Sequence, residues 1–286
     1  MKTQRIELRV ESHLTTTPKD NARFWRSPLL PDAELLTAQY YAQEFSPHWH
    51  ESFSIPVIQT GAQSYRYRGA QCIAGVGSIA AINPGEIHTG ERATDDGWTY
   101  RAFYPSVAWM QGLASDIAGR HMDIPWLPDG SIHDAEVAAK LGLAHRLLEA
   151  QGDALQAEAA LTEGFALLLS RYARNRVQAQ ALHPDAVRVE RMQALLVEDV
   201  TAPLALSTLA AAVGLSPFYA TRLFSRTVGM PPHAWRNQVR LNRAQGLLRQ
   251  GVSVTEVAAA QGFTDQSHFT RHFKRAYGVA PGRWQM

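Results

Sequence analysis

The last third of this chain repeats itself, and that repeat narrows its fold more than any other feature. Leu209-Ala210-Ala211-Ala212-Val213-Gly214-Leu215-Ser216 recurs as Val257-Ala258-Ala259-Ala260-Gln261-Gly262-Phe263-Thr264. Arg222-Leu223-Phe224 recurs as Arg271-His272-Phe273, and Gly229 and Pro232 recur as Gly278 and Pro281. The offset grows by one between these blocks, so the extra residue falls after the glycine turn. Each copy reads as a small-residue helix, a glycine, a second helix and a Gly–x–x–Pro exit, which is a helix-turn-helix.

Local signals agree. Ser207 is placed to cap a short helix over 208–213, and Gly214 supplies the left-handed turn residue. Ser216-Pro217 is an N-cap followed by proline at the first helical position. In the second copy Ser253-Val254-Thr255-Glu256 has capping-box spacing, Gly262 makes the turn, and Thr264 or Asp265 caps the next helix. Pro231-Pro232 opens a connecting helix to about Arg249, roughly 27 Å long at 1.5 Å per residue. That reach suits two reading helices in successive major grooves, about 34 Å apart.

At 100° per residue, Ala220, Leu223, Phe224 and Thr227 share the inner side of one second helix. Phe218, Thr221, Arg222 and Ser225 lie opposite. In the other, Phe269, Phe273 and Ala276 face inward, while Ser267, Arg271, Lys274 and Arg275 face out and His268 flanks them. Neither outer face carries a carboxylate. Arginine grips guanine O6 and N7, and short polar side chains reach other base edges, so this is chemistry for a major groove. Charge points the same way. Residues 184–286 hold 12 basic and 6 acidic residues, and residues 1–183 hold 16 and 20. Arg236, Arg240 and Arg243 share a face of the connecting helix, which reads either as a phosphate track or as a solvated surface.

The first part differs. Runs at Glu34–Tyr41, Phe53–Thr60, Gln63–Arg68, Ser78–Ile82 and Trp98–Tyr104 are β-rich and punctuated by glycine turns, as in a small barrel or sandwich. Residues 1–29 read as an irregular arm anchored by Phe24 and Trp25. From Asp134 the period becomes helical: Ala138, Leu141, Ala144/His145 and Leu148 form one stripe, and Ala160, Phe165, Leu168 and Leu169 another. An αα-hairpin over 134–150 and 153–174 follows. The expected class is α+β with two domains: a small β-barrel or sandwich plus helical hairpin over 1–174, a linker over 175–184, and an all-α tandem helix-turn-helix unit over 185–286.

The single cysteine, Cys72, excludes a disulfide framework and a cysteine-rich zinc module, and no chemistry is assigned to it. The chain has no apolar run long enough to span a bilayer and no signal-peptide core at Met1–Glu7. A cytoplasmic protein without membrane partners is expected.

Residues 187–286 resemble the DNA-binding domain of the AraC/XylS family of bacterial transcription regulators. The resemblance rests on Gly262-Phe263-Thr264-Asp265-Gln266-Ser267-His268-Phe269-Thr270-Arg271-His272-Phe273-Lys274 and Gly278-Val279-Ala280-Pro281, with Leu209–Gly229 as the looser copy. It implies base contacts from Phe218, Thr221 and Arg222, and from Ser267, His268 and Arg271, with Gln266 just before them. Residues 1–180 resemble that family's cupin-type sensing domain through His48-Trp49-His50-Glu51, Gly69, Gly77 and Asn83-Pro84-Gly85-Glu86-Ile87-His88.

His48 and His50 share a strand face, and His88 follows a turn after another strand. With an inward Tyr65/Tyr67 pair they would line a mostly apolar effector pocket, and Arg101 either meets an acidic effector there or sits outside it. Cupin enzymes hold a divalent metal with three such histidines and a carboxylate. Here Ser54 takes the carboxylate's position, Glu51 belongs to the other face, and Glu86 is the remaining substitute. No cofactor, no metal and no enzymatic activity are therefore expected, with His48, His50 and His88 the metal candidates otherwise. The expected function is a regulator binding double-stranded promoter DNA under a small-molecule effector. It would pair as a homodimer through the hairpin's leucine stripe, unless that stripe packs on its own barrel, and would contact RNA polymerase if it activates. The rival is a metal-dependent cupin enzyme or metal sensor with a DNA-binding tail.

Overall fold

The computed structural model describes residues 19–128 and 130–284. Residues 1–18 of the expected arm lie outside them. The arm's remainder is a strand: β1 (Asn21–Ser27) pairs antiparallel with β2 (Leu30–Tyr40), with Phe24 opposite Leu36 and Trp25 opposite Leu35. Then come β3 (Phe45–His48), β4 (Ile55–Tyr67), β5 (Ala70–Gly75), β6 (Ser78–Ile79), β7 (His88–Arg92) and β8 (Trp98–Tyr104). α1 (Val107–Ala118), which the sequence reading missed, and β9 (Ile132–His133) lead to α2 (Ala135–Ala150) and α3 (Ala154–Tyr172). The rest is α4 (Ala186–Glu198), α5 (Leu206–Ala211), α6 (Pro217–Val228), α7 (Pro232–Arg249), α8 (Val254–Ala260) and α9 (Gln266–Tyr277), closed by a 3₁₀ turn at Pro281–Arg283.

The strands run β1-β2-β8-β4-β6-β9, and β4 also pairs with β5 and β7, which pairs with β3. β4 passes from one part of the barrel to the other. Its first half pairs with β8 and its second with β5 and β7. The hinge is Gly61, at φ +64°, where a Cβ would sit 2.0 Å from the Gly97 carbonyl oxygen. Only glycine permits that approach. The same residue made one strand look like two in the sequence.

Side-chain alternation sorts the barrel's two faces. Leu36, Ala38 and Tyr40 of β2 meet Ala102, Tyr100 and Trp98 of β8 in the interior. Leu35 and Phe103, also paired, point outward into a second core with α1, α2 and α3. Asp134 and Asp153 cap α2 and α3, each accepting from two backbone N–H groups of the first turn. The leucine stripe is spent here. Leu141, Leu148, Phe165, Leu168 and Leu169 are all buried in the chain's own core, so the expected dimer contact through them is corrected. Burial of such side chains is worth about 1.5–3 kcal/mol each, and none is left for a partner.

α4, α5 and α6 bury a core that α3 completes with Leu155 and Ala159. α7, α8 and α9 bury another around Leu241, Phe269 and Phe273. The residues between α3 and α4 are no free tether: Val177 is fully buried in the barrel–hairpin core, and Leu182 packs on the α4–α6 core.

Candidate nucleic-acid interface and effector pocket

α6 and α9 are equal in length and occupy matching places in the repeat. Ser216 caps α6, accepting from the Tyr219 N–H, and Asp265 caps α9, accepting from the His268 N–H. The turn before α9 holds one more residue than its counterpart, which is where the repeat gains its extra position. Gly214 and Gly262 both have positive φ, as the turn requires. The Ser253–Glu256 capping box is formed. Ser207 is no cap: α5 begins at Leu206, and the Ser207 N–H donates to Glu158 of α3 at 3.0 Å.

On α9 the expected outer face is open. Gln266, Ser267, Arg271, Lys274 and Arg275 are exposed, while Phe269 and Phe273 are buried. His268 is half-buried in edge contact with Phe263 and His272. Its imidazole is pushed below its ordinary pKa by burial and then by Arg271, which keeps it neutral. Ala276 and Thr227, expected on buried sides, are exposed.

On α6 the expected face is covered, a correction to the outward placement of Phe218, Thr221 and Arg222. Phe218 packs against the barrel–hairpin core and Thr221 is buried. Arg222 lies over the Phe218 and Tyr219 rings, at 5.3 and 5.8 Å, and donates to the Gln180 carbonyl at 3.2 Å. Arg226 donates to the Leu182 carbonyl, and Tyr219 donates to the Ile117 carbonyl at the end of α1. The cause is tertiary: α1 and the 174–184 segment lie along the helix.

The connecting-helix arginines also need correction. Arg236 and Arg240 are buried, at 1% and 5% exposure, and neither tracks a backbone nor meets solvent. Arg236 donates to the Asp199 and Ala202 carbonyls, both at 2.7 Å, and Arg240 to the Val200 carbonyl at 2.7 Å. Asp153 lies 3.6 Å from Arg240 and ties the hairpin to the helix-turn-helix unit. Arg243 alone of the three is exposed.

A cavity of about 260 Å³ opens in the barrel. His48, His50, His88 and Tyr65 line it as expected, together with Tyr40, Phe45, Gln63, Tyr100 and Tyr104, which sequence reasoning missed. Tyr100 and Tyr104 were within reach, because they share their period-two face with Trp98. Phe24 stands at the mouth, its ring 6.2 Å from Tyr104. The histidine rings converge, with centroids 4.3 to 5.2 Å apart. Burial pushes His88 down to about 4 and also lowers His50, so these two rings are neutral near pH 7. Burial raises Tyr100, and it lifts Tyr104 to about 12.

Two expected pocket residues lie elsewhere. Tyr67 is buried, but its hydroxyl accepts from Asn83 Nδ2 at 3.1 Å, and Asn83 in turn anchors Leu127. Arg101 has the opposite parity to Tyr100. It points out to α2, where it pairs with Glu149 and donates to His145 Nδ1. Glu86 is held by Arg68 through two contacts of 2.8 Å, and Glu51 is exposed beside a neighbouring hollow. Neither carboxylate joins the histidines.

Comparison with known proteins matches this division. The family model of the AraC-like ligand binding domain fits residues 30–165, and that of a helix-turn-helix domain fits residues 209–286. The chain belongs to the AraC family of transcription regulators. Among relatives of this AraC-family chain, the HTH-type transcriptional regulator YbfI of Bacillus subtilis is 26% identical over 229 residues, spanning 79% of this chain and 82% of that protein. The HTH-type transcriptional activator RhaS of Salmonella schwarzengrund is 24% identical over 245 residues, or 83% and 86% of the two chains. MtrA of Neisseria gonorrhoeae, an HTH-type transcriptional regulator, is 40% identical over 78 residues, 27% of this chain and 26% of its own. Among solved structures, ToxT from Vibrio cholerae aligns at a TM-score of 0.36 and 14% identity, covering 93% and 97%. As the family implies, the barrel is the ligand-binding domain and the C-terminal helices are the DNA-binding unit. No described helix is long and apolar enough to cross a membrane.

Proposed function

We propose that this AraC-family regulator binds promoter DNA through α6 and α9 in adjacent major grooves, and that a small organic molecule in the barrel cavity decides when α6 is presented. One observation carries the reading: the two matched helices differ in access, and the one that is covered is covered by the effector-binding domain. For that cover to be a switch, the effector must bind the released arrangement more tightly than the docked one. α1 is positioned to transmit the difference, since it packs into the barrel's outer core and its last turn accepts the Tyr219 hydroxyl.

In this reading Phe218, Thr221, Arg222, Gln266, Ser267, His268 and Arg271 read bases. His48, His50, His88 and Tyr65 line the effector's site. The protein acts in the cytoplasm as a homodimer and contacts RNA polymerase at activated promoters. With the leucine stripe internal, pairing uses the outer face of the hairpin, where Leu143 is exposed.

A metabolite panel screened by thermal shift on the full chain tests this, because a ligand favouring the folded state raises its melting point. Each stabilising compound is then assayed for its effect on DNA binding. The reading expects at least one to stabilise the barrel and change DNA affinity several-fold. Compounds that stabilise the protein while leaving DNA affinity untouched would count against it.

A further inference from the structure

The three histidines are arranged as ligands as well as pocket walls. His48 Nδ1 lies 2.8 Å from the Ser46 carbonyl oxygen, and His88 Nδ1 lies 3.0 Å from that of Glu86. A carbonyl only accepts, so each Nδ1 carries a proton, and the neutral ring's lone pair is on Nε2. Metal-binding histidines are held in this way, with the outer nitrogen donating to a carbonyl that fixes tautomer and ring. His48 and His88 are direct partners in the β3–β7 register, so the backbone sets their proximity. One ring nitrogen from each of His48, His50 and His88 lies within 4.8 Å of the other two. Zinc–nitrogen bonds of about 2.0–2.1 Å ask for a somewhat tighter set, which small side-chain rotations supply.

We propose that His48, His50 and His88 hold one divalent transition-metal ion, and that its open positions face the cavity and take the anionic end of the effector. Imidazole nitrogens suit zinc, iron, nickel or copper rather than magnesium or calcium. The donor set is neutral, because Glu86 is engaged by Arg68, Glu51 is exposed, and Ser54 stands where cupin enzymes place their carboxylate. The ion therefore keeps its full charge in a cavity walled by Tyr40, Phe45, Tyr100 and Tyr104. A buried uncompensated charge is costly, and an anionic ligand removes the cost. The aromatic walls fit an apolar body. Gln63 lines the cavity, and its buried Oε1 has no hydrogen-bond partner among the described residues, so a small side-chain rotation would offer an acceptor to a ligand hydroxyl or amide N–H. The ligand class is a carboxylate, or a similar oxyanion, on an aromatic or aliphatic frame. The metal site stands on the histidine geometry alone, whereas the ligand class rests on the effector-pocket reading above.

The test uses the full chain, stripped with a chelator and titrated with cobalt(II). The expected result is one equivalent bound per chain, with visible d–d absorption that shifts on addition of azide. His88→Gln and, separately, the half-buried His50→Gln should each lose the absorption while circular dichroism stays native. No saturable uptake by the unmutated chain overturns the proposal without reference to any variant, as does uptake that His50→Gln retains. Benzoate then probes the ligand class. It should bind the cobalt-loaded chain at least tenfold more tightly than the stripped chain. Equal binding to both removes the ion as docking point but leaves the pocket reading intact. If neither form binds benzoate or any member of the metabolite panel, the pocket reading falls, and the cobalt result still decides the metal site.

Discussion

The Tyr219 hydroxyl of α6 donates to the Ile117 carbonyl at the end of α1 at 3.2 Å, and it accepts from the Gln180 N–H at 2.9 Å. One side chain of α6 is thus tied to both the ligand-binding domain and the segment leading out of it. Tyr219 is not among the expected base readers, so it can be altered without touching the DNA face. Tyr219→Phe removes both bonds, worth about 1 kcal/mol. DNA affinity in the absence of effector should rise about fivefold by fluorescence anisotropy. Unchanged affinity would mean that the docked helix does not restrain binding.

Arg271 on the open face of α9 should behave as a base reader. Arg271→Ala is expected to cost about 1–3 kcal/mol on a selected binding site and to relax preference at one base position. A loss of equal size on random duplex would demote it to a phosphate contact.

Arg236 should matter for stability and not for the salt dependence of DNA binding. Arg236→Ala strands the Asp199 and Ala202 carbonyls and opens space between α7 and the turn after α4, at a cost of about 2–3 kcal/mol. Urea denaturation should show this. The slope of log affinity against log salt should stay as in the unmutated chain, and a shallower slope would restore the phosphate-track reading.

Acid should weaken the barrel–hairpin domain in a defined window. His145 is held at about 4, by burial first and then by Arg101, with Glu149 opposing. It is neutral in the folded state near pH 7. The unfolded chain takes up a proton there as the pH falls through about 6.5, and the folded chain does not until about 4, so stability present at neutral pH is lost across that interval. The loss is about 2–3 kcal/mol. The urea midpoint of His145→Gln should fall less steeply between pH 7 and 4.5 than that of the unmutated chain, and parallel declines would contradict the assignment.

The sequence was legible wherever a local pattern decides the outcome. The repeat, the caps at Ser216 and Asp265, the hairpin and the convergence of His48, His50 and His88 all follow from neighbours in the chain or from strand parity. Arg101 was misplaced although parity with Tyr100 already sent it outward. Arg236 and Arg240 were not legible, because their carbonyl partners lie 34 to 40 residues away and nothing local distinguishes a buried polar face from a solvated one. The covering of Phe218 and Arg222 escaped for the same reason: α1 reads weakly in the sequence, and its contact with α6 joins segments far apart in the chain.

The central claim is that α6 and α9 of one chain enter two successive major grooves once α6 is released. Methylation-protection footprinting of the full chain on a selected site, at saturating protein, tests it most directly. The account predicts guanine N7 protection in two segments about 10 base pairs apart on one face of the duplex, with Arg222→Ala erasing one and Arg271→Ala the other. A single protected segment in the saturated complex, or a footprint indifferent to both substitutions, would contradict it.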